Sequence, residues 1–208
     1  SERPIGPLNK GLGAMQTAMT SREMIEQRWN LLHEDLSLPT AVLYEEKLAH
    51  NLAWMQRFIQ SYGVQLAPHG KTTMAPKLFA RQLQTGAWGI TLATAQQTRV
   101  AYEHGLRRVL MANPLVGKQN MEIIARLLRD EKFEYYCLVD SVQLVEQLGA
   151  FFSSRKQRLN ILIELGVEGG RTGIRNQSEL DALLVALDRW RESIAVCGIE
   201  LYEGVLED

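Results

Sequence analysis

Hydrophobic positions in this chain follow two alternating periods. From Gly63 onward, short apolar runs are separated by polar, Gly or Pro residues and then by amphipathic stretches. The runs are Val64 to Ala67, Gly89 to Ala93, Arg108 to Ala112, Tyr135 to Val139, Leu159 to Leu165 and Ile194 to Leu201. Continuous apolar runs mark strands buried on both faces, as in parallel sheets. Between them, residues 75–85, 94–104, 118–131, 141–151 and 177–191 carry apolar side chains at helical spacing. The last of these is preceded by Asn176 and Glu179 at capping-box spacing. Strands alternating with helices predict parallel β/α units, here recurring about every 26 residues. That suits a compact (β/α)8 barrel or a doubly wound sheet. A closed barrel needs eight strands. Six runs are visible after residue 63, so the predicted α/β fold is a barrel left incomplete in this chain, or an open sheet.

Upstream, Leu48, Leu52, Met55, Phe58 and Ile59 share one helical face, and Gly63 ends that helix. Pro39 introduces a predicted short strand, Thr40 to Tyr44. An earlier helix is predicted from Thr20, at capping-box spacing to Glu23, to about His33. Residues 1–20, with Gly6, Pro7, Gly11 and Gly13, read as a lead-in loop. Residues 1–37 are accordingly assigned to an arm and helix, and 38–208 to the β/α portion.

Composition narrows the function classes. Lys and Arg total 23 against 24 Asp and Glu, a net charge of −1. Such a chain lacks the basic field that nucleic-acid binding uses. No apolar run approaches the ~18 residues of a membrane span. Cys137 and Cys197 both fall in strand-like runs, which predicts reduced, buried cysteines in a cytoplasmic protein. His33, His50, His69 and His104 show no ligand spacing, so no metal site is expected here.

The turn after the first run reads Ala67-Pro68-His69-Gly70-Lys71-Thr72-Thr73. A lysine there stands where α/β barrels keep their active sites, at the C-terminal ends of strands. Partial burial would strip its ammonium of water and free the amine as a nucleophile toward an aldehyde such as pyridoxal phosphate (PLP). A surface lysine in a loop is the competing reading. Polar residues also end later runs: Thr91 and Thr94, Asn113, and Tyr202. Thr94 equally suits the cap of the following helix.

Together these pieces resemble fold-type III PLP enzymes of the D-threonine aldolase, D-serine dehydratase and D-serine deaminase-like branch. The resemblance runs from about Leu38 to the end of the chain. It rests on Leu38-Pro39-Thr40-Ala41, Pro68-His69-Gly70-Lys71-Thr72, Ile90-Thr91-Leu92-Ala93-Thr94, and Ile163-Glu164-Leu165 leading to Gly170-Arg171-Thr172-Gly173. It implies an alanine-racemase-like barrel with PLP as a Schiff base on Lys71, which also handles the substrate Cα proton. It places His69 at the cofactor ring or a substrate carboxylate, and Arg171 at the phenolic oxygen. Thr94, Asn113 and Tyr202 are further candidates for cofactor contact.

The sequence departs from the family where Thr73 and Met74 follow the lysine motif, at Gly166, and at Val205 after Tyr202-Glu203-Gly204. These departures bear on the substrate more than on the cofactor. By resemblance, a C-terminal β domain carrying a divalent metal, and the main phosphate-binding loops, lie outside these 208 residues. The expected protein is a homodimeric PLP-dependent lyase acting on a small D-amino acid such as D-serine or D-threonine. The alternatives are an amino-acid racemase, a non-catalytic PLP carrier, or an α/β protein in which Lys71 is incidental.

Overall fold

The computed structural model describes residues 4–205. The chain divides between Asn51 and Leu52 into two compact units.

In the first unit, Ile5 and Met19 form an antiparallel bridge with backbone bonds of 2.8 and 2.7 Å. Helix α1 spans Ser21–Glu26 and is opened by the anticipated capping box. The Thr20 N–H donates to Glu23 Oε2 at 2.7 Å, and the Glu23 N–H donates to Thr20 Oγ1 at 3.3 Å. The helix stops well short of His33. Arg28 adopts φ 51°, and Leu31–His33 form only a 3₁₀ turn. No residue of α1 is buried, and a short helix without tertiary packing does not propagate. The predicted strand Thr40 to Tyr44 is also absent: these residues have no ladder partner, and Val42, Leu43 and Tyr44 are exposed. Helix α2, Glu45–Ser61, forms as its period predicts and ends before Gly63 at φ 64°.

The second unit is a β/α layer. Helix α3 (Pro76–Gln84) leads into β1 (Ile90–Leu92), α4 (Ala95–Glu103), β2 (Arg108–Pro114), α5 (Lys118–Leu127), β3 (Glu134–Val139), α6 (Val142–Ser153), β4 (Leu159–Leu165), α7 (Gln177–Arg189) and β5 (Ile194–Leu201). All neighbouring strands are parallel, in the order β1-β2-β3-β4-β5. Because strand residues alternate faces, one face packs on the helices. It carries Ile90, Leu92, Val109, Met111, Tyr135, Cys137, Val139, Leu159, Ile161 and Ile163, all buried. The other face turns Leu110, Tyr136 and Leu162 toward a hollow of about 350 Å³ that Gln65, Ala67, Trp88 and Cys197 also line.

Among the described residues five regular strands form, not six. The predicted first strand, Val64 to Ala67, runs beside β1 but makes only one bridge, His69 with Thr91. Bonds of 2.8 to 2.9 Å from Trp88 N to Leu66 O, Thr91 N to Pro68 O and Gly70 N to Thr91 O tie it there. Pro68 has no N–H to extend the ladder, and the Thr91 hydroxyl takes the Ala67 carbonyl at 2.7 Å. The cysteine expectation is also half corrected. Cys137 is buried, whereas Cys197 is exposed: it lines the open hollow, and the register skips it between Val196 and Gly198 as a bulge in β5.

Gly70 joins the Lys71 turn to the core. A Cβ at this buried position would lie 2.6 and 2.7 Å from Phe79 ring carbons and 2.9 Å from Ile90 Cγ2. Gly70→Ala is therefore expected to destabilise the protein by about 1–3 kcal/mol through overpacking. Urea denaturation measures this, and an unchanged midpoint would mean that the Phe79 ring yields freely.

Candidate active site at the strand C-terminal ends

The C-terminal ends of β1 to β5 lie on one edge of the sheet, and the polar residues gather there. Lys71 is exposed in the turn after Gly70, not partly buried as anticipated. Its backbone, however, is fixed. Gln97 donates from Nε2 to the Lys71 carbonyl at 3.3 Å and accepts the Ala93 N–H on Oε1 at 2.9 Å. Beside it, burial and then the Lys71 ammonium hold His69 below its ordinary pKa. The imidazole is thus biased toward its neutral form.

Asn113 uses both ends of its amide. Nδ2 donates to the Ala93 carbonyl at 2.8 Å, and Oδ1 accepts from Arg171 Nη2 at 3.3 Å. Arg171 belongs to the loop between β4 and α7, which folds back onto the sheet edge. Thr172 Oγ1 donates to Glu164 Oε1 at 2.5 Å, and the Gly173 N–H donates to Asp140 Oδ2 at 3.1 Å. The Ile174 N–H reaches Glu164 O at 2.8 Å, and Gly166 N reaches Ile174 O at 2.9 Å. Inside the loop, the Arg175 guanidinium donates to the carbonyls of Gly170, Thr172 and Gly173. Gly173 sits at φ +93°, and a Cβ there would lie 2.5 Å from Gly166 N, so the close approach requires glycine.

Of the other candidates, Thr94 caps α4 by accepting from the Gln97 N–H at 3.1 Å. Tyr202 follows β5 and is 67% exposed. The sheet edge thus brings Lys71, His69, Asn113 and Arg171 into one connected set, while Thr94 serves the helix and Tyr202 stands outside that set.

Sequence reasoning passed over Glu164, Glu200, Asp140, Gln97 and Arg175. Glu164 and Glu200 are register partners on adjacent strands, and each keeps a buried Oε2 without a hydrogen-bond partner. Burial, then Glu164 and Glu203, raise the Glu200 carboxyl, with Arg171 opposing. A lone acid inside an apolar run was the available signal, because buried charge is rare unless paired. Asp140 directly follows a run in the same way. Nothing in the spacing marks Gln97 or Arg175. Among the described residues, no three His, Cys, Asp or Glu side chains gather as a metal site, and no helix is long and apolar enough to cross a membrane.

Parallel β/α units with a lysine turn and an arginine loop on one strand edge define a barrel-type α/β protein with a site at its strand C-termini. Residues 44–205 match the family model described as alanine racemase, N-terminal domain, and the chain belongs to that family. It is 28% identical over 154 residues to a D-threo-3-hydroxyaspartate dehydratase of Delftia sp. (strain HT23), covering 74% of this chain and 40% of that protein. It is 26% identical over 172 residues to a D-threonine aldolase of Arthrobacter sp., covering 81% and 44%. The solved D-threonine aldolase from Filomicrobium marinum superimposes with TM-score 0.72 at 24% identity, over 79% of this chain and 44% of that one. Alanine racemase from Bartonella henselae with covalently bound pyridoxal phosphate shares the fold at TM-score 0.60 and 13% identity, over 74% and 42%. The chain spans less than half the length of each of these proteins.

The carboxylate pair carries a pH prediction. Glu200 binds its proton more tightly folded than unfolded. Its charge therefore costs stability that appears as pH rises through the raised value and vanishes below the unfolded one. Glu200→Gln is expected to raise Tm at about pH 8 and to leave it nearly unchanged at about pH 4. Thermal unfolding at both values checks this, and a lower Tm at the higher pH would contradict it.

Proposed function

We propose that this chain is the cofactor-binding part of a PLP-dependent lyase acting on D-amino acids that carry a β-hydroxyl. One observation carries the reading. The Lys71 turn and the Arg171 loop are bound into one hydrogen-bonded array at the strand C-termini. The family membership and the names of the relatives support it.

The residues present fit PLP. Lys71 offers an amine to its aldehyde, and Arg171 a fixed cation for its phenolic oxygen. The buried, unpartnered oxygens of Glu164 and Glu200 leave acceptors open toward an N–H or O–H donor. When bound, the cofactor supplies an electron sink that makes cleavage of bonds at the substrate Cα feasible. The remaining work falls to the chain. Lys71 would hold the cofactor through Nζ, and the same Nζ would accept or return the Cα proton once free. His69, biased toward its neutral form, would stand beside Lys71 without adding a second positive charge. Arg171 would offer its cation to the phenolic oxygen.

Two outcomes share this site. Loss of the β-hydroxyl from D-serine yields pyruvate and ammonia, as in a D-serine dehydratase. Cα–Cβ cleavage of D-threonine yields glycine and an aldehyde, as in an aldolase. The relatives' names include both reaction types. A homodimer working in the cytoplasm completes the proposal, in keeping with two free cysteines and near-neutral charge.

Protein incubated with PLP is expected to gain a visible absorbance band that borohydride removes, leaving a pyridoxyl group on Lys71 in peptide mass spectra. Lys71→Ala is expected to lack both. Product formation from D-serine or D-threonine, and not from the L isomers, is the matching activity result. A retained covalent adduct in Lys71→Ala would overturn the assignment.

A further inference from the structure

Glu164 does more than leave an acceptor open in the site. It lies near the end of β4, is only 8% exposed, and has one carboxylate oxygen with no hydrogen-bond partner. A buried acid with an open valence is costly and persists where it serves a purpose. Its other oxygen accepts the Thr172 hydroxyl at 2.5 Å, one residue from Arg171. Its own backbone carbonyl accepts the Ile174 N–H at 2.8 Å. Among the described residues, Glu164 thus holds the Arg171 loop by both main chain and side chain.

We infer that Glu164 is a positioning residue that aims Arg171 into the site by holding Thr172. This rests on the PLP reading, in which Arg171 faces the cofactor. The other restraints leave this task unfilled. Asp140 holds only the Gly173 N–H, one position further along. Arg175 binds carbonyls within the loop itself and shapes it without tying it to the sheet. Asn113 meets the Arg171 guanidinium itself at 3.3 Å and leaves the loop backbone to other partners. At 2.5 Å the Thr172–Glu164 bond is also shorter than the Asp140 and Asn113 contacts, at 3.1 and 3.3 Å.

A double-mutant cycle with Glu164→Met, which removes the acceptor at similar volume, and Thr172→Val tests the inference from both ends of one bond. Each single variant is expected to speed amide exchange of residues 171–173 in cofactor-free protein by roughly tenfold. Each is also expected to raise the pH midpoint of the visible band of PLP-loaded protein, because a fixed cation near the phenolic oxygen lowers that midpoint. The double variant should exceed neither single one, since both remove the same bond. Thr172→Ser, which keeps the hydroxyl, should restore both readouts.

Additive effects, or unchanged exchange in Glu164→Met, would overturn the role of Glu164. If Glu164→Met does not fold, Thr172→Val and Thr172→Ser decide by themselves. Absence of any visible band in the unmodified protein would instead defeat the PLP reading. The exchange cycle on cofactor-free protein still judges Glu164 in that case.

Discussion

The site depends on a chain of hydrogen bonds that crosses the strand ends. Gln97 ties the Lys71 carbonyl to the Ala93 N–H, and Asn113 ties the Ala93 carbonyl to Arg171. Thr172, next along the backbone, ties the loop to Glu164. No lysine ammonium or arginine guanidinium would keep a defined place on this edge from its own side chain alone. Both are long and carry large rotamer entropy. What orders them is backbone and amide bonding just beneath.

That edge exists because the parallel sheet is stiff below it. Its helix-packed face is apolar from β1 to β4, and Gly70 lets the Phe79 ring come within contact of the turn that bears Lys71. The opposite face is built differently. Its middle is apolar around the hollow at Leu110, Tyr136 and Leu162, and its C-terminal end carries Glu164 and Glu200. The arrangement separates stability from chemistry: packing is spent on one face, and unpartnered polar atoms are confined to the end of the other. On β5, Val196, Ile199 and Leu201 pair in register with Ile161, Ile163 and Leu165, yet all three are at least half exposed. Along β5 only Ile194, at its start, is buried.

The β/α alternation was readable because it rests on local rules: apolar runs for strands, helical spacing between them, and caps at Thr20, Thr94 and Asn176 that form as residue type dictates. Errors arose where tertiary partners decide the outcome. The run from Val64 to Ala67 has strand composition, but Pro68 and the Thr91 hydroxyl interrupt its ladder. The run from Thr40 to Tyr44 finds no partner strand, and α1 finds nothing to pack on. Cys197 lines the open hollow and stays exposed, which no local pattern announces. For the proposed site, motif and strand-end position named Lys71, His69, Asn113 and Arg171. The residues that hold them were not legible, because Gln97, Asp140 and Glu164 act through contacts 8 to 33 residues away in sequence.

The most direct measurement is a crystal structure of the PLP-loaded protein after borohydride reduction. The expected result is a pyridoxyl group on Lys71 Nζ, with the Arg171 guanidinium at its phenolic oxygen and Thr172 still bonded to Glu164. A pyridoxyl group on another lysine, or an Arg171 loop turned away from the strand ends, would contradict the proposed site.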